Sequence, residues 1–234
     1  TVVAQEEVRC EGECVTVPPG QRAGQNLRLR GEDLAAGRPA LAAGKRLTPA
    51  DLGLMASLGF AEAPVRRRLR VAFFSTGDEL CSVGEPLPPG HVYDSNRYTI
   101  HGMLSRLGIE AIDLGVVRDD PDALSEAMRT AAESADAIVS SGGVSVGEAD
   151  FTREVMARLG EVAFWRIAMR PGRPLAFGHV GSAAYFGLPG SPVAVMITFY
   201  FFARDALLRM MGTRPGVAPL LKARALADIR KRPG

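Results

Sequence analysis

Several features that would classify the chain quickly are missing. Cysteine is scarce, with three in 234 residues, an odd count without the spacing of a disulfide framework, and the opening residues do not read as a signal peptide, so a reducing cytoplasm is the expected setting. Charge of one sign is nearly balanced out: 28 basic against 26 acidic side chains leave +2, too little to argue for nucleic acid. The arginines are dispersed apart from Arg66-Arg67-Arg68, which reads as a solvated connector. Long hydrophobic runs are absent too. The most apolar segment, Val193 to Leu208, is interrupted by Arg204 and Asp205 and is too short to span a bilayer, so it is expected to be a buried or interface helix, with no membrane partner.

Common catalytic signatures are also lacking. No Lys-Ser/Thr pair ends a glycine loop, and no G-x-G-x-x-G carries a suitably spaced acid, which disfavours an ATPase or a dehydrogenase. His91, His101 and His179 have no metal-site spacing and read as incidental. Cys10 and Cys14 are placed to approach across a short hairpin at Glu11-Gly12-Glu13, but two thiolates without further ligands do not complete a zinc site.

What is present is an apolar share of 47%, enough for a core in one or two domains. Residues 1–45 read as β-rich and turn-rich, with Val2-Val3, Val15 to Val17, and Leu27 and Leu29 alternating with Asn26, Arg28 and Arg30. The polar set Asn26, Arg28, Arg30, Glu32 and Asp33 suits either a solvated strand face or an anionic ligand. Residues 46–68 hold a helix with Thr48 as N-cap, Pro49 at its first position, Asp51 completing a capping box, and Leu52, Met55 and Leu58 as its stripe.

From residue 69 to 212, strands and helices alternate. Leu69 to Phe74, Ile109 to Val117, Ala137 to Val139 and Val162 to Ile167 read as strands. Helices follow Asp94 or Ser95 (Ile100, Met103, Leu104, Leu107) and Asp120 (Leu124, Met128, Ala131), with a further helical pattern from Phe151 and a helix after Ser191-Pro192. Leu175 to Gly178 and Ala183 to Phe186 suggest a hairpin, and Pro86 to Gly90 a rigid loop. This order argues for a mostly parallel sheet covered on both faces. Residues 213–234 change character and suggest the start of a further β domain, and the chain as a whole reads as a piece of a longer protein.

In such folds ligands bind beyond the carboxyl ends of strands. Four loops fall there: Thr76 to Leu80, Arg118 to Asp120, Ser140 to Asp150, and Leu188 to Pro192. The third, Ser140-Ser141-Gly142-Gly143-Val144-Ser145-Val146-Gly147-Glu148-Ala149-Asp150, follows a buried strand and precedes a helix, so its backbone N–H groups suit phosphate. Asp78, Glu79, Asp119, Asp120, Glu148 and Asp150 would repel that phosphate unless a divalent cation such as Mg²⁺ bridges them. Asp120 is expected to be an ordinary cap, whereas Asp150 suits a cap or a metal ligand equally. Arg166, Arg170 and Arg173 lie beside Pro-Gly turns, a setting that suits phosphate recognition.

These residues also carry a resemblance. Phe74-Ser75-Thr76-Gly77-Asp78-Glu79-Leu80, Tyr93-Asp94-Ser95-Asn96-Arg97, Arg118-Asp119-Asp120, the Ser140 to Asp150 loop and Gly187-Leu188-Pro189-Gly190-Ser191-Pro192 resemble the motif series of the molybdopterin molybdenumtransferase family, the MoeA-like proteins that include the gephyrin E domain. Gly20 to Asp33 resembles that family's second-domain segment. The resemblance implies a MogA-like three-layer α/β domain flanked by β-rich segments of neighbouring domains. It further implies a homodimer and the Mg²⁺-dependent insertion of molybdate into adenylylated molybdopterin, with release of AMP.

Carried over by motif, Glu79, Asp119 and Asp150 match the catalytic carboxylates, with Glu79 and Asp150 on the metal. Thr76, Gly77, Asp78, Ser141, Gly142, Gly143, Ser145, Gly147, Glu148, Arg166, Arg170, Pro189, Gly190, Ser191 and Pro192 match ligand-binding positions. Arg28 and Asp33 match second-domain residues that reach the site across the dimer. Ser191 stands where asparagine is common, and Arg166 and Arg170 where lysine is. The family also implies an adenylyltransferase partner and molybdoenzyme acceptors. Alternative readings are a molybdopterin adenylyltransferase on the same fold, or a non-catalytic scaffold.

Overall fold

The computed structural model describes residues 1–144, 155–213, 216 and 219–228. Two compact units divide the chain, Thr1–Asp51 and Leu52–Gly234.

In the first unit β1 (Arg9–Glu11) and β2 (Cys14–Thr16) form an antiparallel hairpin. Gly12 at φ 61° opens its two-residue turn, where a left-handed conformation matches the twist of the flanking strands. The register pairs Cys10 with Val15 and Cys14 with Glu11. Because directly opposed residues share a face and the face alternates along a strand, the two cysteines point to opposite sides. The expected approach of their thiols is therefore corrected.

The predicted strand at Leu27 to Arg30 is corrected as well, since no strand pairs there and Leu27 and Leu29 are exposed. Alternation alone cannot hold a strand that has no partner. The helix α1 (Pro49–Ser57) starts as expected: the Asp51 carboxylate reaches back to the Thr48 N–H at 2.9 Å and accepts from its hydroxyl and from Lys45. Those contacts, led by Lys45, lower the Asp51 pKa from 3.8 to about 2. The stripe is not buried, however, with Leu52 and Leu58 exposed.

The second unit is built on six strands: β3 (Arg70–Thr76), β6 (Glu110–Val117), β7 (Ala137–Ser141), β8 (Gly160–Arg166), β9 (Pro174–Val180) and β10 (Ala183–Leu188). They lie in the order β6-β3-β7-β10-β9-β8. The first three pairings are parallel and the last two antiparallel, so the sheet is mixed, with the expected hairpin supplying one of its antiparallel pairings. The reason is local. The turn at Gly181-Ser182 is too short for a crossover, so β9 and β10 must run antiparallel.

The helices are α2 (Ser95–Arg106), α3 (Pro121–Ser134), α4 (Pro192–Thr198) and α5 (Arg204–Met210), with residues 155–159 also helical. Side chains alternate through the two central strands. Val71, Phe73 and Val139 join Ile100, Leu104, Val195 and Phe199 in one core, while Ala72, Phe74 and Ile138 join Leu124, Met128 and Ala131 in another. Packing on both faces explains why β7 is a continuous apolar run rather than an alternating one. Each fully buried side chain such as Phe73 contributes about 1.5–3 kcal/mol.

Two details were not legible beforehand. The predicted Pro86 to Gly90 loop is clamped by a short parallel pair, β4 (Leu80–Cys81) and β5 (Val92–Tyr93). The helix after Pro192 is interrupted by a π turn, Phe199–Ala203. The described residues beyond Met210 form no strand or helix. No helix among the described residues is long and apolar enough to cross a membrane.

Candidate active site

β3, β7 and β10 run parallel and deliver their exit loops to the same edge of the sheet. There the loops enclose a cleft of about 290 Å³ lined by Thr76, Gly77, Glu79, Asn96, Ser141, Gly142, Gly143, Pro189, Gly190 and Ser191, among others. Two consecutive glycines leave β7 in the left-handed region, Gly142 at φ 90° and Gly143 at φ 66°. A Cβ on Gly142 would lie 2.2 Å from the Thr76 carbonyl oxygen. Only glycine fits between the two strand ends. The Gly142 N–H donates to the Leu188 carbonyl at 3.2 Å, so one amide of the expected phosphate nest already serves to hold the β10 exit.

The acidic side of the cleft is ordered by a short relay. The Thr76 hydroxyl donates to the Asp119 carboxylate, and the Asp119 N–H donates to Asp78 Oδ1 at 3.3 Å. Glu79 folds back over Gly77, where an added Cβ would sit 2.7 Å from Glu79 Oε2. Asp120 is the N-cap of α3, accepting from the Asp122 and Ala123 N–H groups at 3.1 and 2.9 Å, as the sequence led us to expect. Asp94 caps α2. Ser191 occupies the N-cap position of α4, but its hydroxyl makes no capping bond.

Beneath the cleft, Ser140 and Tyr185 share a hydrogen bond of 2.7 Å, and burial pushes the Tyr185 phenol up to about 12. A second polar cluster lies on the opposite face of the sheet, the side of Phe73 and α2. Ser75 donates to Asp94 Oδ1 at 3.0 Å, and Arg97 lies 3.3 Å from Asp94 and 3.2 Å from Asp113. Asn96, a wall residue, was not among the candidate site residues. Its only signal was membership of the Tyr93 to Arg97 motif.

Residues 72–209 of this architecture match the family described as "Probable molybdopterin binding domain", and residues 1–59 match the "MoeA N-terminal region (domain I and II)". The chain belongs to the MoeA/MogA family. It is a homologue of the molybdopterin molybdenumtransferases. The protein of that name from Haemophilus influenzae is 43% identical over 219 residues, 93% of this chain and 54% of the relative. That from Nostoc is 38% identical, covering 94% of this chain and 51% of the relative. Two solved structures of the molybdopterin biosynthesis moeA protein from Pyrococcus horikoshii align with TM-scores of 0.73 and 0.71 at 32% and 28% identity, covering 92% and 91% of this chain and 54% and 52% of theirs. The chain thus spans about half the length of the curated relatives it matches.

Of the positions carried over from this MoeA/MogA family, the cleft brings together Thr76, Gly77, Glu79, Ser141, Gly142, Gly143, Pro189, Gly190 and Ser191. Asp119 and Asp78 join through the Thr76 relay, and Pro192 is the first residue of α4. Arg166 borders an apolar groove with Phe177 and Phe201 instead. Arg170 is exposed and does not line the cleft, although Gly172 and Pro174 beyond it do. In the first unit Arg28 and Asp33 are each other's partners, with a 2.6 Å ion pair on the surface. Ser145, Gly147, Glu148 and Asp150 lie outside the described residues.

Proposed function

We propose that the cleft binds adenylylated molybdopterin and that the protein inserts molybdate into its dithiolene with release of AMP. The observation that carries the reading is the convergence of the Gly142-Gly143 turn, the Thr76–Asp119 pair and the Pro189 to Ser191 loop on one cleft. The match to the MoeA N-terminal region at residues 1–59 favours this transferase over a stand-alone adenylyltransferase. The glycine turn and proline loop bind and orient the ligand, and Thr76 holds the Asp119 carboxylate at the cleft edge.

The donor chemistry fits Mg²⁺, which takes one or two carboxylates and fills its shell with water and substrate phosphate. The described part of the cleft offers one such carboxylate, Glu79. Glu79, together with Asp150, would hold the ion, whose charge would offset that of the phosphates. The wider reading is a cytoplasmic homodimer in which Arg28 and Asp33 reach a site across the interface. It receives substrate from an adenylyltransferase partner and passes product to molybdoenzyme acceptors. Resemblance supports these points, and three free cysteines, two of them exposed, suit a reducing compartment.

The test follows AMP from adenylylated molybdopterin with the full-length protein, Mg²⁺ and molybdate. Release should require molybdate and fall by about 100-fold or more in Glu79→Ala and Asp150→Ala. Release that ignores molybdate, or survives both substitutions, would refute the assignment. ATP consumption with free molybdopterin would point to adenylyl transfer.

A further inference from the structure

Asn96 lies in the first turn of α2 and is buried, with 8% of its surface exposed. Its Nδ2 donates to Ser141 Oγ at 2.9 Å and to the Gly190 carbonyl at 2.6 Å. The carbonyl can only accept, so it settles which way the amide points. Both amide protons are then used. The Ser141 hydroxyl in turn donates to the Pro189 carbonyl at 3.2 Å. One amide therefore ties the first turn of α2 to the end of β7, where the glycine turn begins, and to the proline loop after β10.

The other half of the amide does the opposite. Asn96 Oδ1 is buried and meets no hydrogen-bond donor among the described residues; an acceptor desolvated in this way costs stability, being worse than an apolar atom of the same shape. Asp94, two residues earlier, caps α2 and is itself fixed by Ser75 and Arg97, so the base of Asn96 cannot drift. A stability gain at Nδ2 is thus opposed by a loss at Oδ1. What does not cancel is geometry.

We infer that Asn96 is a positioning residue for the cleft, holding the Pro189 to Ser191 loop at a fixed distance from the Gly142-Gly143 turn. The consequence for catalysis rests on the proposed transferase reading, but the consequence for the loop does not. Asn96→Asp is the sharpest perturbation, since it places a carboxylate oxygen against the Gly190 carbonyl. Asn96→Ala removes the tie without introducing repulsion.

The experiment pairs two measurements on the full-length protein and both variants. Amide hydrogen exchange over residues 186–195 should quicken by about 5- to 30-fold, as expected for the loss of one or two net hydrogen bonds, with Asn96→Asp at least as large as Asn96→Ala. The Tm of Asn96→Ala should stay within about 4 °C of wild type, and exchange elsewhere in the sheet should be unchanged. In the AMP-release assay kcat should fall by a similar factor, with little change in KM for adenylylated molybdopterin. Unchanged exchange over 186–195 in both variants overturns the inference even if the transferase assay succeeds. Exchange that rises everywhere together with a large loss of Tm also overturns it, in favour of a merely structural role. If the wild-type protein releases no AMP, the transferase reading fails while the exchange result still decides the role of Asn96.

Discussion

Substituting Gly142 by alanine tests the geometry of the cleft directly. The residue sits at φ 90°, a region that costs an L side chain about 1–2 kcal/mol. The new Cβ would also lie 2.2 Å from the Thr76 carbonyl oxygen and 3.3 Å from its carbon. That neighbour is backbone, held by the pairing of Ser75 with Ser141, so no rotamer change relieves the contact. Overpacking of this kind costs about 1–3 kcal/mol. Together the two effects predict a loss of about 2–5 kcal/mol, or about 4–20 °C in Tm at 2–4 °C per kcal/mol, read by urea and thermal unfolding. Gly190→Ala is the internal control. Among the described residues its Cβ would meet nothing closer than the Gly142 Cα at 3.9 Å, so it should cost under about 1 kcal/mol. If the two variants are equally stable, or Gly142→Ala lies within about 0.5 kcal/mol of wild type, the close approach of β3 and β7 described above is wrong.

Thr76→Val removes the hydroxyl that the Asp119 carboxylate accepts. A hydrogen bond to a charged group contributes about 1.5–3 kcal/mol, so chemical denaturation should show a loss of that order, accompanied by slower AMP release. Tyr185→Phe strands the buried Ser140 hydroxyl and should cost about 1–3 kcal/mol, largely recovered when Ser140→Ala is added, a double-mutant cycle that measures the coupling. Acid titration of unfolding should expose Asp51. Because its pKa is lowered from 3.8 to about 2 in the folded chain, its contribution is fully present above the unfolded value and is lost as pH falls through that window; Asp51→Asn should flatten this part of the curve. Asp136 behaves likewise, held low first by the Arg67 side chain, so Arg67→Met should also reduce the acid sensitivity.

Much of the second unit was legible because its signals are local and agree with one another. Ala137 to Val139 is short, apolar and β-branched, and it is the fully buried β7. Leu124, Met128 and Ala131 share one helical face, and they are the buried residues of α3. Asp120 before Pro121 is the helix cap that an Asp-Pro pair at a helix start predicts. In the first unit the same reasoning failed at Leu27 to Arg30, where the pattern was present but no partner strand was.

By itself the sequence determined which loops follow which strands, and hence which glycines, prolines and carboxylates stand at strand exits, because period, caps and turn residues act over a few neighbouring positions. How those loops meet depends on long-range packing. That Gly142 excludes a side chain because of Thr76, that Thr76 holds Asp119 across 43 residues, and that Asn96 links two loops 45 and 94 residues away all depend on the order β6-β3-β7-β10. Strand order is set by burying both faces of the sheet at once, a condition on the whole unit that no short stretch of residues contains.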